Sequence, residues 1–166
     1  MHKIEIRNSE EDDFLPISQI ARKCRPMVTE RNSIYHLFTK FFQNTVFVAE
    51  IIHNGHKIVI GFLIGFISQS KSDECYIHLL CVDPEFRGRG IASNLIKNFC
   101  DVVTQEGCKK IYLITKPINQ KAINFYQKIG FNVVSTSKTV KIRGMDVYRD
   151  YDGFGEHMVV LKKELD

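Results

Sequence analysis

A thirteen-residue stretch, "CVDPEFRGRGIAS" (81–93), combines residue types that are suited to binding an anion. Arg87 and Arg89 alternate with Gly88 and Gly90 just before an apolar helical pattern begins. The first backbone N–H groups of a helix lack partners within the helix, and the helix dipole adds partial positive charge there. Glycines let the backbone approach an oxygen closely, and arginines add charge-assisted hydrogen bonds. The stretch therefore predicts a phosphate-binding turn, which suits a diphosphate better than a single carboxylate.

Two common phosphate-binding motifs do not fit this stretch. The Walker motif ends in Gly-Lys followed by Ser or Thr, and that ending is missing here. The dinucleotide fingerprint GxGxxG requires a third glycine, but this chain has Ser93 at that position. A tight turn whose glycines serve only the backbone geometry also explains the residues. Spacing alone leaves both an anion site and a plain turn open.

The segment that leads into the turn, "ECYIHLLCV" (74–82), carries residues that could move a proton. Alternation along a pleated strand places Glu74, Tyr76, His78 and Leu80 on one face. Glu74 and His78 could each accept a proton through a water molecule, since their reference pKa values are about 4.3 and about 6.5. A half-solvated strand face explains the same pattern equally well.

The elements predicted around these residues alternate between strands and helices. A strand precedes the turn, and a helix over 91–106 that Gly107 stops follows it. Runs of β-branched and aromatic residues on either side of an Asn-Gly pair at 54–55 predict a hairpin. The other predicted strands cover 3–7, 109–115, 131–142 and 156–165, and the other predicted helices cover about 13–24, 32–43 and 119–129.

The predicted helix at 32–43 carries an apolar stripe behind an Asn or Ser cap. We expect this stripe to be part of the core and not a ligand site. Its residues are Ile34, Leu37, Phe38, Phe41 and Phe42.

The composition is that of an ordinary globular chain with a single domain, residues 1–166. It has 44% hydrophobic and 25% charged residues, and its 166 residues are enough for a substantial core. Lys and Arg exceed Asp and Glu by 23 to 19, which suits a small anionic ligand but is too weak to indicate nucleic acid. The most apolar run, "IVIGFLIGFI", is too short to span a bilayer. We expect neither a membrane nor a nucleic-acid partner.

The cysteines show no pairing pattern. They are odd in number and form no CxxC motif, so they predict neither a disulfide framework nor a zinc site. A metal-free protein in the reducing cytoplasm is the expectation. The five are Cys24, Cys75, Cys81, Cys100 and Cys108.

Two motifs resemble those of a known family. Residues 87–92, Arg-Gly-Arg-Gly-Ile-Ala, are similar to the (Arg/Gln)-x-x-Gly-x-(Gly/Ala) signature of the GNAT superfamily of acyl-CoA-dependent N-acyltransferases, in which a Val-Asp-Pro turn commonly precedes it. The segment "NQKAINFYQKIGF" (119–131) is similar to the family's Asn-x-x-Ala-x-x-Phe-Tyr-x-x-x-Gly-Phe. The resemblance is specific over 75–131 and loose elsewhere.

The resemblance implies a fold and a cosubstrate. The GNAT fold is a mixed α/β domain with a central twisted, mostly antiparallel sheet of about seven strands, helices on both faces and a splay between strands 4 and 5. Acetyl-CoA would be the acetyl donor. Main-chain groups of Leu80, Cys81 and Val82 would bind the pantetheine arm in the splay, Asn119 would contact the same arm, and Phe125 would line the acyl end. The pyrophosphate would lie on Arg87, Gly88, Arg89, Gly90, Ile91, Ala92 and Ser93.

The resemblance also implies direct acetyl transfer to a primary amine, without a covalent enzyme intermediate. Tyr126, whose reference pKa is about 10, would donate a proton to the leaving thiolate. A main-chain N–H of Val82 or Leu80 would polarise the thioester carbonyl. Where many members of the family have a Glu on the fourth strand, this chain has Tyr76, so Tyr76 joins Glu74 and His78 in the candidate catalytic set.

The acceptor amine and the oligomeric state stay open in the sequence. The segment "VYRDYDGFGEHMVV" (147–160) concentrates Asp150, Asp152 and Glu156, which could recruit a cationic amine or simply form a solvated turn. The resemblance allows a homodimer, which is common in the family. The alternative function is a coenzyme A-binding sensor or scaffold without catalysis.

Overall fold

Nine strands and four α-helices follow one another along residues 3–166, which are the residues that the computed structural model describes. The helices are α1 (Phe14–Ala21), α2 (Asn32–Phe41), α3 (Ile91–Gln105) and α4 (Gln120–Lys128). The strands are β1 (Ile4–Asn8), β2 (Val46–His53), β3 (His56–Ile67), β4 (Glu74–Val82), β5 (Lys110–Thr115), β6 (Asn132–Val133), β7 (Val140–Ile142), β8 (Met145–Val147) and β9 (Val159–Glu164).

Seven of these strands form one sheet in the order β1-β2-β3-β4-β5-β9-β6, while β7 and β8 form a separate hairpin. All neighbours in the large sheet are antiparallel except β4 and β5, which are parallel and connected through α3. The predicted β2–β3 hairpin is confirmed, and its turn residues Asn54 and Gly55 both have positive φ. The sheet of seven strands expected from the resemblance is therefore present.

A hydrophobic cluster covers each face of the sheet. On one face, Leu95 and Phe99 of α3 and Ile123 of α4 pack against Ile77 and Ile111 of the sheet. On the other face, a second cluster joins Ile17 of α1 and Tyr35 of α2 to Phe62, Leu79 and Cys81. α1, α3 and α4 thus each bury an apolar stripe against the sheet, as amphipathic spacing predicts.

A bulge in β4 changes which residues share a face. Ile64 pairs with Leu79, whereas Gly65 pairs with Ile77, so His78 is an extra residue on β4. Beyond the bulge the alternation is inverted, and Leu80 packs against the cluster on the α3 side. The expectation that Leu80 lies on the same face as Glu74, Tyr76 and His78 is wrong for this reason.

The apolar stripe of α2 is mostly outside the core. Phe41 is 72% exposed and Leu37 is 43% exposed, whereas Tyr35 and Thr39 are buried. The buried pair can be accommodated because the Tyr35 hydroxyl accepts from the Glu30 N–H (2.9 Å) and the Thr39 hydroxyl donates to the Glu11 carbonyl (2.9 Å). The prediction that this stripe is part of the core is wrong for Leu37, Phe41 and Phe42, whereas Phe38 packs against the second cluster.

The segment 131–142 is not the single strand predicted. It contributes two residues to β6 and three to β7, separated by a turn in which the Thr136 carbonyl accepts from the Thr139 N–H (3.1 Å). Polar Ser and Thr residues at 135–139 favour such a turn because their hydroxyls bond to nearby backbone groups.

Cys24, just after α1, and Cys81 of β4 form a disulfide. The prediction that no disulfide forms is wrong, because the packing of α1 on β4 brings together two residues that are 57 positions apart. Cys75, Cys100 and Cys108 are free. Within residues 3–166, no His, Cys, Asp and Glu side chains group into a metal site, and no helix has the length and apolarity to cross a bilayer.

Candidate active site

The strands β4 and β5 separate to leave a gap in the sheet. They pair over only three positions, which end at Tyr76 and Tyr112, although β4 continues to Val82. The Asp83 N–H donates to the Ile60 carbonyl of β3 (2.8 Å). Bonding direction alternates along an antiparallel strand, so Cys81 turns its main-chain groups toward β3, while Leu80 and Val82 turn theirs into the gap. The gap therefore offers backbone groups to an extended ligand.

The turn after β4 leads to an open helix N-terminus. Gly88 and Gly90 have φ of +77° and +74°, which favour glycine, and a Cβ built on either would meet no heavy atom within 4 Å. The first intrahelical bond of α3 runs from the Asn94 N–H to the Gly90 carbonyl (3.0 Å). The N–H groups of residues 91–93 thus precede the helical ladder and are available to an anion.

The two arginines of the turn already contact the protein. Arg87 donates from Nε to the Val82 carbonyl (3.1 Å), and the guanidinium of Arg89 lies over the Phe86 ring, 5.2 Å from its centroid. Arg87 also donates from Nη2 to the Cys24 sulfur (3.4 Å), but both arginines are exposed and keep other N–H donors beside the turn. Arg87 therefore satisfies one carbonyl of the gap and contributes positive charge to the turn.

Asp83 holds the start of this turn. Its carboxylate accepts from the Glu85 N–H (3.1 Å) and from the Lys23 ammonium (2.7 Å). Burial opposes the charged form of Asp83, but the Lys23 ammonium and the Glu85 N–H outweigh it and lower the pKa of the carboxyl. A charged Asp83 thereby links the end of α1 to the turn.

The helix α4 brings the second motif to the same end of the sheet. Asn119 is its N-cap and accepts from the Ala122 N–H (3.4 Å), while its amide donates to the Thr115 hydroxyl at the end of β5 (3.3 Å). Phe125 is half-buried. The predicted cap at Asn119 is confirmed, and its side chain connects α4 to the β5 wall of the gap.

Tyr126 is buried in the core cluster on the α3 side. It is 8% exposed, and its ring packs edge-on against Phe125 and Phe131 at centroid distances of 5.3 and 5.4 Å. Its hydroxyl makes no hydrogen bond to any of residues 3–166. Burial, with a smaller contribution from Tyr76, raises the pKa of the Tyr126 phenol. Tyr126 thus keeps its proton throughout the physiological pH range.

The three candidate residues on β4 have different surroundings. The Glu74 carboxylate lies 3.4 Å from the Lys71 ammonium, and His78 Nε2 lies 3.2 Å from the Glu30 carboxylate. Burial first, and then electrostatic repulsion from Asp152 and, at alkaline pH, from Tyr151, raise the pKa of Tyr76 to about 12. Tyr76 is therefore the candidate that the charge of the acidic loop affects, whereas Glu74 is the first residue of β4.

The acidic loop between β8 and β9 is partly tied to its own residues. The Asp150 carboxylate accepts from the Gly155 N–H (2.7 Å), and Glu156 pairs with Lys116 (2.8 Å), just after β5. Asp152 is exposed, and its charge reaches Tyr76. Of the three acidic residues, Asp152 is thus the one whose charge acts on Tyr76.

Aromatic side chains from three elements form a continuous group that the sequence did not predict, although Tyr76 and His78 were already catalytic candidates and Phe38 and Phe42 were expected in the core. We call these rings the aromatic wall. They come from α2, from the residue that follows it, from β3 and from β4. For Phe38 and Phe42 the signal in the sequence is that the segment 34–42 carries more apolar residues than one buried stripe requires. The aromatic wall consists of Phe38, Phe42, Phe66, Tyr76 and His78.

Several curated proteins are similar to this chain in sequence, and the ones described here are named as acetyltransferases. A protein named as an acetyltransferase from Pectobacterium atrosepticum is 30% identical over 134 residues, which are 79% of this chain and 89% of that protein. The L-2,4-diaminobutyric acid acetyltransferase of Nocardia farcinica is 28% identical over 71% of this chain and 59% of its own length. The thialysine N-epsilon-acetyltransferase of Bos taurus is 32% identical over 43% of this chain and 44% of its own length. The chain thus spans about half the length of several curated relatives.

Solved structures share the fold over nearly the whole chain. Ard1 from Thermoplasma volcanium superposes with a TM-score of 0.77 at 21% identity, covering 98% of both chains. The diaminobutyrate acetyltransferase from Paenibacillus lautus, solved with L-2,4-diaminobutyric acid and coenzyme A, has a TM-score of 0.75 at 17% identity and covers 97% of this chain and 95% of its own. Residues 9–131 match the sequence profile of the acetyltransferase (GNAT) family, so the chain belongs to that family.

Proposed function

We propose that the protein is an acetyl-CoA-dependent N-acetyltransferase that transfers the acetyl group directly to a primary amine. The observation that carries the proposal is the gap between β4 and β5, which ends at the open N-terminus of α3. An extended ligand with a diphosphate at one end and a thioester at the other fits a gap of this kind. Membership of the family and the names of the relatives support the same activity.

The residues present suit coenzyme A. The N–H groups of Ile91, Ala92 and Ser93 and the open space at Gly88 and Gly90 would hold the pyrophosphate. Leu80 and Val82 would bond to the pantetheine arm, and the orientation of the ladder favours them over Cys81. Asn119 and Phe125, at the start of α4 and along it, stay predicted contacts for the pantetheine and acyl ends.

Acetyl-CoA supplies the acetyl group as a thioester. Tyr126, kept protonated by burial, would donate its phenolic proton to the departing thiolate. A main-chain N–H of Leu80 or Val82 would stabilise negative charge on the thioester oxygen. The amine must lose a proton, and His78 with its Glu30 partner lies nearer the gap than Glu74 does, so we favour His78 as the acceptor, through water.

Acetyl-CoA binding and Tyr126→Phe test this proposal together. Calorimetry should detect acetyl-CoA binding, and binding should raise the melting temperature. Tyr126→Phe should lower kcat by at least about a hundredfold because a positioned acid is lost, while acetyl-CoA affinity stays the same. A protein that binds acetyl-CoA but releases no thiol with any amine would be a coenzyme A sensor, and one that binds none would refute both functions.

Two further expectations from the sequence stay predictions. Cytoplasmic location can be checked by cell fractionation, and the homodimer by light scattering of the purified chain.

A further inference from the structure

We infer that the acceptor amine carries a bulky apolar group, aromatic or branched alkyl, next to its nitrogen, and that the aromatic wall binds this group. The inference rests on the proposed acetyltransferase function and names its substrate class. An acceptor of this kind differs from a polar diamine such as L-2,4-diaminobutyric acid.

The aromatic wall is continuous with the gap where the chemistry would occur. Tyr76 is the last β4 residue that pairs with β5, and its ring is 5.5 Å from Phe66 and 6.3 Å from His78. Phe38 continues the wall, since its ring stacks 5.7 Å from His78 and 5.1 Å from Phe42. A group attached close to an amine nitrogen at the gap would therefore meet ring surfaces on β3, β4 and α2.

The wall is only partly covered by the chain itself. Phe42 is 36% exposed, and the adjoining α2 residues Leu37 and Phe41 are 43% and 72% exposed. Contiguous exposed apolar side chains of this kind are uncommon on a soluble protein and indicate a binding surface. Because ring contacts connect Phe42 through Phe66 to Tyr76, where the gap begins, the apolar part of the acceptor is the occupant that accounts for this surface.

The charges beside the wall suit an ammonium group. Glu30 lies against His78 (3.2 Å), and Asp152 is close enough to Tyr76 for its charge to raise the pKa of that phenol. Carboxylates next to aromatic faces attract a cation through both the charge and the ring quadrupole. The site thus combines attraction for the amine with apolar surface for its substituent, and a purely polar diamine would use only the first.

Matched acceptors test the inference directly. Phenylalaninamide and alaninamide have the same α-amino group and differ only in the ring, so kcat/KM should favour phenylalaninamide by about tenfold to a hundredfold. L-2,4-diaminobutyric acid should be slower than phenylalaninamide. A hexapeptide that begins with Phe, compared with phenylalaninamide, shows whether the group belongs to a small amine or to a chain N-terminus, and either result is consistent with the inference.

Substitution of Phe42 tests whether the aromatic wall causes the preference for phenylalaninamide. Phe42→Ala should raise KM for phenylalaninamide by about tenfold and raise KM for alaninamide much less, because it removes surface that contacts the ring and no reacting group. Phe42→Leu should restore most of the loss. Ile52→Ala, at a 59% exposed position on β2, is the matched control and should change neither.

Several outcomes would overturn the inference. Equal kcat/KM for phenylalaninamide and alaninamide would do so, as would equal effects of Phe42→Ala on both amines with a normal melting curve. If Phe42→Ala instead converted a dimer to a monomer, the wall would be an interface between two copies. None of these results would affect acetyl-CoA binding or thiol release. The proposed function is tested by those two measurements, and it can therefore be refuted separately from this inference.

Discussion

Tyr76 and Tyr126 are the two phenols of the candidate site, and their surroundings differ in a way that their sequence positions do not reveal. Both have raised pKa values, chiefly because burial disfavours the phenolate. Tyr126 is enclosed by core residues, whereas Tyr76 is half-buried and faces the charge of Asp152. The two tyrosines therefore suit different tasks, proton donation for Tyr126 and a wall of the acceptor site for Tyr76.

The raised pKa of Tyr76 predicts how stability changes at alkaline pH. The neutral phenol is favoured in the folded state, so its contribution is complete below about pH 10, the unfolded value, and is lost as pH rises toward about 12. Urea unfolding at pH 8 to 12 should show a fall in the free energy of unfolding over this window. Tyr76→Phe should reduce the fall without abolishing it, because the pKa values of Tyr35 and Tyr126 are raised as well. The same slope in the variant and the parent would contradict the assignment.

The turn between β4 and α3 allows a test with a well-matched control. Gly88→Ala should weaken acetyl-CoA binding by about tenfold, because a Cβ would extend into the space where an oxygen must approach and because φ of +77° disfavours alanine. Gly107→Ala, at φ of +92° beyond the end of α3, carries the same backbone strain with no ligand nearby.

Calorimetry measures the loss of acetyl-CoA affinity, and thermal melting measures the backbone strain, so the two methods together separate these effects. Both glycine variants should lose roughly 1 kcal/mol of stability, and only Gly88→Ala should lose affinity. If Gly107→Ala weakened binding equally, strain and not access to the turn would be the cause.

The strands and helices that position the site were largely predictable, since their residues carry strong local patterns. The bounds of β4 match the predicted 74–82, and α3 differs from its prediction by one residue at its end. The bulge at His78 and the exposed stripe of α2 were not predictable, because each depends on packing against residues distant in sequence. Alternation indicates that a strand exists, but it does not show where the register changes.

The disulfide between Cys24 and Cys81 connects the α1 end of the chain to the wall of the gap. Closing a loop over 57 residues should stabilise the fold by roughly 4 kcal/mol through the entropy of the unfolded chain. A reducing agent should therefore lower the unfolding midpoint, and Cys24→Ser should do the same and make the protein insensitive to the reductant. Cys100→Ser, which alters a free cysteine, is the control and should preserve the response. A midpoint that does not depend on the reductant would show that the bond does not form in solution.

The position of β9 also has a consequence for the order in which the molecule assembles. The strands β2, β3 and β4 pair with their neighbours in sequence, and pairings of this kind form early because they close short loops. β9, the last strand along the chain, lies between β5 and β6, so the other part of the sheet cannot be completed until residues 159–164 have joined it. The gap between β4 and β5 thus divides the sheet into one part built from strands that are neighbours in sequence and another that needs the end of the chain, and we expect the second part to form later.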